Sequence, residues 1–565
     1  MQTQYDVIIP GGGLAGLTLA IQLKREKPDI SILILESRAT EATTAAHKVG
    51  ESTVELATHY MREVLDLKGY LEEHELPKHG LRIFFKSNNK GEISNRVELG
   101  PRLKLPVPSH QLDRGTLENY LAKHAQKLGA KLIIGARAKE VNFSANGHEV
   151  IYVKDEQEVK VKGRWVADAT GRGSLLKRKL QFQKPMEHHV NAVWWRLKGV
   201  IDIDEWSDNP DWKHHLEPHL RYLSTVHFMD TGYWVWIIPL GSKNTSIGIV
   251  ADPAVHPFDE INKYDKALNW LEKNEPLCYK MLKPLGEGEG LMDFRVLKHF
   301  AHDSGRLYSA DRWGVVGESG AFLDPLYSPG SDFISLANTW LSDLILRELN
   351  GEDISVRASI YEQAHLSHVQ NWIPIYQNKY LLMGNTQIMV LKIFWDWAIY
   401  WSIPCMLFTN KSFTDLKLLK ELFASANGLG RKFGQLNKVM QDLFLAWRPY
   451  DTEIFSNHYI DPFDVGYLRQ FQQGIEVQHG SKIIEQVAKN MEILEKVAAA
   501  IFRLASTQAK GTPPDMRVDP YSISLDPNVD TSNHAKGMLP DAAIAKDVDV
   551  MWFYNKKASR KKMAT

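Results

Sequence analysis

Cysteine is scarce: Cys278 and Cys405 are the only two in 565 residues, and they lie far apart. That excludes a disulfide framework and any cysteine-spaced metal site, and it fits a reducing, cytoplasmic setting. Net charge is absent too, since Lys plus Arg and Asp plus Glu each total 68. No global field therefore recruits nucleic acid or an anionic membrane. No long uninterrupted apolar run occurs: Lys392, Asp396 and Pro404 break the most apolar stretch, Ile388 to Phe408, which reads as a buried or ligand-covering helix rather than a transmembrane segment. Between Met1 and the β-rich run that starts at Tyr5 there is no room for a secretory leader, so export is not expected. No internal repeat is visible. What is present is a 44% hydrophobic chain, long enough for about two or three packed units.

The first organised feature is a strand, a glycine turn and a helix. Tyr5 to Pro10 is β-rich, Gly11-Gly12-Gly13-Leu14-Ala15-Gly16 follows at once, and a helical pattern runs through Leu23. In GxGxxG, Gly11 makes the tight turn, Gly13 lets the backbone approach a pyrophosphate, and Gly16 lets helix pack on strand. Leu14 and Ala15 open the helix, whose N-terminus receives the phosphate. A second strand, Ser31 to Leu35, ends at Glu36, at the distance where a carboxylate accepts hydrogen bonds from an adenosine ribose. These residues predict dinucleotide binding. No second GxGxxG follows a strand, so no separate NAD(P)H site is read.

Gly232-Tyr233-Trp234-Val235-Trp236-Ile237-Ile238-Pro239 reads GxWxWxIP. Alternation puts Trp234 and Trp236 on one face of a strand, where two such rings also serve simply to fill a core. The pattern resembles the signature of flavin-dependent halogenases, within the hydroxylase-type FAD monooxygenases. Other segments resemble that superfamily: Gln111-Leu112-Asp113-Arg114 its DR segment, Val166 to Gly171 (with Asp168) the strand and turn that return to the cofactor, Gly317-Glu318 and Asp324-Pro325 its GD and DP segments, and Lys48-Val49-Gly50-Glu51-Ser52 the GES segment beside the flavin. The resemblance implies FAD rather than NAD, bound through Gly11, Gly13, Leu14, Ala15, Gly16, Glu36, Lys48, Glu51, Ser52, Arg114, Asp168, Gly171, Gly317, Glu318, Asp324 and Pro325. Glu318 departs from the usual Asp by one methylene.

The same resemblance assigns chemistry. Trp234 and Trp236 would wall the flavin from the substrate, so that the oxidant is a small diffusible hypohalous acid. Pro77-Lys78-His79-Gly80 resembles the segment carrying the active lysine, which makes Lys78 the residue that holds or delivers the halogen; burial would lower its pKa and suit it to an electrophile. Halide, chloride or bromide, would sit on backbone N–H groups after the DP segment. There Pro329 offers none, leaving Gly330 and Ser331. Tyr327 stands where tryptophan halogenases carry a glutamate, which argues against free tryptophan as substrate.

The expected fold is α/β: a Rossmann-like FAD-binding domain with an antiparallel β-sheet substrate layer and a mainly helical C-terminal region. Residues 1–345 form the FAD and substrate-sheet module, with the sheet layer inserted at about 185–300, residues 346–510 a helical domain, and 511–565 an extended tail with a basic end at Lys556 to Lys562. The helical region resembles that of the extended halogenases of the pyrrolnitrin and chloramphenicol pathways, which would place the aromatic stretch Trp372 to Trp401, including Trp395, Trp397 and Tyr400, over the substrate. The expected activity is halogenation of an electron-rich phenol, pyrrole or similar arene, free or carrier-bound, by FADH2, O2 and halide, with a separate flavin reductase supplying the reduced cofactor. Two other readings fit the same residues: a hydroxylating flavin monooxygenase, and a non-catalytic flavoprotein or maturation factor that binds a protein partner.

Overall fold

The computed structural model describes residues 3–45, 48–423, 428–451, 459–511, 516–526, 528, 534, 536–539 and 541–549. The basic end Lys556 to Lys562 lies outside the described residues. The first sheet is built on Gln4–Pro10, which pairs in parallel with Ile32–Glu36 on one side and Gln157–Asp168 on the other. Lys131–Ile134 and Trp313–Val315 extend it in parallel at either end. Both faces of the central strands are buried, which is why Val7, Ile8 and Ile9, and Ile32 to Leu35, are continuous apolar runs rather than alternating ones. Helix Leu14–Glu26 makes the crossover, and helices Arg114–Lys127 and Gly330–Leu349 pack against it. This is the Rossmann-type arrangement.

The second sheet runs in the order Leu291–Leu297, Asn191–Lys198, Asn244–Ala251, Tyr233–Pro239, Thr225–Asp230, Leu81–Phe84, Glu98–Leu99 and Tyr459–Ile460. Its first five strands are antiparallel neighbours, while Thr225–Asp230 joins Leu81–Phe84, and Glu98–Leu99 joins Tyr459–Ile460, in parallel. The strict period of two sends Trp195, Val226, Phe228, Val235 and Ile237 into a core under helices Tyr264–Asn274 and Pro276–Leu282. The opposite face carries Trp194, Met229, Trp234, Trp236 and Ile238 toward the first sheet. The two sheets thus share one interior.

The C-terminal region is helical, with long segments at Ser355–Tyr376, Thr386–Tyr400, Leu429–Trp447 and Ile483–Lys510. Thr386–Tyr400 is buried on nearly every side and passes into a π-helical turn, Trp401–Cys405, that accommodates Pro404. No helix among the described residues is long and apolar enough to cross a membrane. Within the stretch expected to be extended, Ala542–Val548 is instead a helix packed against Ile483–Lys510, started by Asp541, whose carboxylate accepts the N–H groups of Ala543 and Ile544 at 3.0 and 3.1 Å.

Candidate active site

A cavity of about 1170 Å³ runs between the two sheets, beyond the roughly 300–1,000 Å³ typical of ligand clefts and suited to a dinucleotide. The glycine turn forms one end. Gly11 has φ +106°, and a Cβ there would stand 2.1 Å from the Ala169 carbonyl oxygen; one on Gly16 would stand 2.0 Å from that of Gly11. Only hydrogen fits at either place, so the strand, the turn and the helix close on one another while Gly11, Gly13, Leu14 and Ala15 line the cavity. Glu36 lines it too; its carboxylate accepts the Gly12 N–H at 2.9 Å and the Arg38 N–H at 2.7 Å.

Charged side chains follow along one wall. Lys48 reaches Glu118 at 2.6 Å and Arg114 reaches the same carboxylate at 2.7 Å. Burial works against charge on Glu118, yet Arg114 and Lys48 outweigh it and hold its pKa below the ordinary value. Glu51 is buried against Arg196 at 2.7 Å, with burial pushing its pKa up. Lys48, Glu51, Ser52, Arg114, Gly171, Gly317, Glu318, Asp324 and Pro325 all line the cavity, as do Trp234, Trp236, Gly330 and Ser331. Two of the expected residues do not face it. Gly16 is packing, and the Asp168 carboxylate is turned inward to take the N–H groups of Thr170 and Leu176 at 2.9 and 2.7 Å, which shapes the turn instead.

A second, smaller cavity of about 60 Å³ contains Lys78. It is separated from the first by Ser52–Glu55 on one side and Pro329–Asp332 on the other, with Pro329 facing both. Lys78 ends the short strand Leu76–Lys78, is 2% exposed, and donates to the Thr53 carbonyl at 2.7 Å. Burial lowers its pKa to about 8, opposed by the carboxylates of Glu55 and Asp332. Asp332, raised to about 7 by burial, accepts the Tyr400 hydroxyl at 2.8 Å and the Ala57 N–H at 2.9 Å. Trp372, Tyr376, Trp397, Tyr400 and Trp401 supply aromatic walls. Trp395 does not join them: its indole points away to Asn437 at 3.1 Å.

Sequence reasoning missed Glu55 and Asp332, because acidic residues in unrelated segments carry no pattern. Pro329, noted in the sequence for its missing N–H, is the residue before helix Gly330–Leu349, whose first bond is from the Phe333 N–H to the Pro329 carbonyl at 3.1 Å. The N–H groups of Gly330, Ser331 and Asp332 therefore have no partner within the helix. Tyr327 lines the smaller cavity beside Asp396, to which its hydroxyl donates at 3.0 Å.

Fold and cleft together define an FAD-binding flavoprotein. Residues 4–247 match the family model described as an FAD binding domain. The chain is 28% identical over 435 residues to the flavin-dependent halogenase chlA of Dictyostelium discoideum, covering 71% of this chain and 70% of that protein. It is 25% identical over 387 residues to the 1H-pyrrole-2-carbonyl-[peptidyl-carrier protein] chlorinase of Pseudomonas fluorescens, covering 65% and 82%. Among solved structures, halogenase PltM shares its fold, with TM-score 0.63 and 17% identity over 89% of this chain and 97% of that one. The chain is thus similar to flavin-dependent halogenases and carries an FAD-binding domain.

Proposed function

We propose that this enzyme halogenates a small, electron-rich, single-ring arene, with FAD held in the larger cavity through the residues described and Lys78 delivering the halogen in the smaller one. When bound and reduced, FAD supplies the chemistry by which O2 oxidises chloride or bromide to hypohalous acid. The observation that carries the reading is the position of Lys78: buried, with a depressed pKa, and one wall away from the cofactor cavity. At about 60 Å³ the lysine cavity is small against the roughly 150 Å³ void that takes up benzene, so its aromatic walls must give way to admit even one ring, and a single ring is favoured over a fused system. Gly330 and Ser331 line the cofactor cavity, and their first-turn N–H groups, unpaired within the helix, would be the halide donors.

The indole pair Trp234 and Trp236 keeps the substrate off the flavin, so only a small oxidant passes. A separate reductase supplies FADH2, and the ring arrives free or on a carrier arm. The test is mass spectrometry of products from enzyme, FAD, flavin reductase, NADH, O2 and halide, with free and carrier-tethered phenols and pyrroles, beside Lys78→Ala. A halogen isotope pattern lost in Lys78→Ala while FADH2 oxidation continues supports the proposal. Oxygen gained independently of halide replaces it with the hydroxylating monooxygenase.

A further inference from the structure

His227 is the one histidine among the residues that line the larger cavity, and the reading so far gives it no task. It lies on strand Thr225–Asp230, opposite Trp236 in the ladder, so its ring joins the Trp234 and Trp236 face, 5.2 Å from the Trp234 ring. Its Nδ1 is 3.1 Å from the Thr225 carbonyl oxygen. A carbonyl only accepts, so Nδ1 carries the proton and Nε2 presents a lone pair. Burial, and then the charge of Lys78 across the wall, lowers its pKa to about 3, so the ring stays neutral wherever the enzyme works.

We propose that His227 receives hypohalous acid as it leaves the flavin cavity, accepting its O–H hydrogen bond at Nε2 and so holding the halogen end toward Lys78. This rests on the halogenase reading above. The match is chemical. Hypohalous acid is a neutral molecule with one donor hydrogen and one electrophilic end. Halide and hypohalite have no hydrogen to offer, so a neutral acceptor selects the acid over both. A cationic side chain in the same place would trap the anions instead. The hydrogen bond also turns the halogen away from the imidazole itself and from the oxidisable indoles of Trp234 and Trp236. No bond to His227 forms or breaks.

The test compares wild type, His227→Ala and His227→Gln, the last keeping an acceptor near the position of Nε2, as holoenzymes with FAD, flavin reductase, NADH, O2 and bromide. Loss of one neutral hydrogen bond should lower product formed per FADH2 oxidised by about three- to tenfold in His227→Ala. FADH2 oxidation should stay near wild type, an added dimedone-type scavenger should capture the missing oxidant, and peptide mass spectrometry should find oxygen or bromine on Trp234 or Trp236. His227→Gln should recover most of the coupling. Independently of turnover, imidazole ¹⁵N NMR of the protein alone should show an Nδ1-protonated ring that does not titrate between about pH 5 and 8. Unchanged coupling, scavenging and indole mass in an active His227→Ala overturns the proposal, as does an Nε2-protonated ring. If the wild type yields neither brominated product nor scavengeable oxidant, the halogenase reading falls and takes this inference with it.

Discussion

The indole N–H of Trp234 donates to the Tyr380 hydroxyl at 3.0 Å, so the signature strand is fastened to the C-terminal helical region. The same hydroxyl donates to the Asp324 carboxylate at 2.7 Å, where His188 also bonds at 2.7 Å. Every member of this network is buried. Tyr380→Phe removes both bonds and leaves the Trp234 N–H unpaired, which should destabilise the protein by about 1–3 kcal/mol. Urea unfolding should show a lower midpoint at unchanged slope. FAD affinity should fall as well, because Asp324 lines the cofactor cavity. An unchanged midpoint would mean that the strand and the helical region are held together by packing alone.

The pH dependence of Lys78 has a definite sign. Its amine is the nucleophilic form, and its pKa sits at about 8, lowered by burial and raised in part by Glu55 and Asp332. Asp396, Tyr327, Tyr376 and Tyr400 line the same cavity, and the neutral His227 lies across the wall. Product per FADH2 oxidised should therefore rise as pH passes through about 8. Glu55→Gln removes a carboxylate that favours the ammonium, so the rise should move to lower pH, and Asp332→Asn should move it the same way. Coupling that falls with pH over this range would make the ammonium the working form and would reject halogen transfer through the free amine.

How much of this was legible depends on how local each signal is. The Gly11–Gly16 turn and Glu36 could be placed from sequence because strand, turn and helix are contiguous and their periods change sharply at the glycines. The shared face of Trp234 and Trp236 followed from alternation alone. Lys78 was reachable only through a motif, since a three-residue strand leaves no periodicity to read. Glu55, His227 and Asp332 were not legible: each looks ordinary in its own segment, and only the packing of two helix starts and a strand brings them near one lysine. Leu81–Phe84, Glu98–Leu99 and Tyr459–Ile460 were missed as sheet members for the same reason, since their pairing partners are distant in sequence.

Gly248 is a second position that sequence did not single out. It faces Trp236 across the ladder, and a Cβ there would stand 2.2 Å from the indole ring, which is itself tied to Ser246 by its N–H at 3.2 Å. Gly248→Ala must therefore displace Trp236. The overpacking should cost about 1–3 kcal/mol. It should also open the wall between flavin and substrate, seen as a changed tryptophan fluorescence spectrum and more FADH2 oxidised per product. Wild-type coupling with a displaced Trp236 would show that the ring fills the core and does not guard the flavin.

Tyr327 and Ser328 have φ of 70° and 60°, two consecutive non-glycine residues in the left-handed region just before Pro329. Such residues cost about 1–3 kcal/mol each and persist only where the surroundings fix them. One side-chain anchor of this turn is Asp396, which accepts the Tyr327 hydroxyl at 3.0 Å and Gln441 at 2.7 Å while pairing with buried Lys392 at 2.5 Å. Burial pushes the Asp396 pKa up and the Lys392 pKa down, so each depends on the other for its charge. Asp396→Asn strands the ammonium and should destabilise by about 3–5 kcal/mol, whereas the double change Asp396→Leu with Lys392→Met removes both charges and should recover most of that stability. The double variant still lacks the Tyr327 anchor. If that anchor is what sets the turn, the recovered protein should require more halide for half-maximal activity, because Gly330 and Ser331 begin the helix that the turn delivers. Recovered stability with unchanged halide dependence would leave the turn held by its own packing, and Asp396 only as the partner of Lys392.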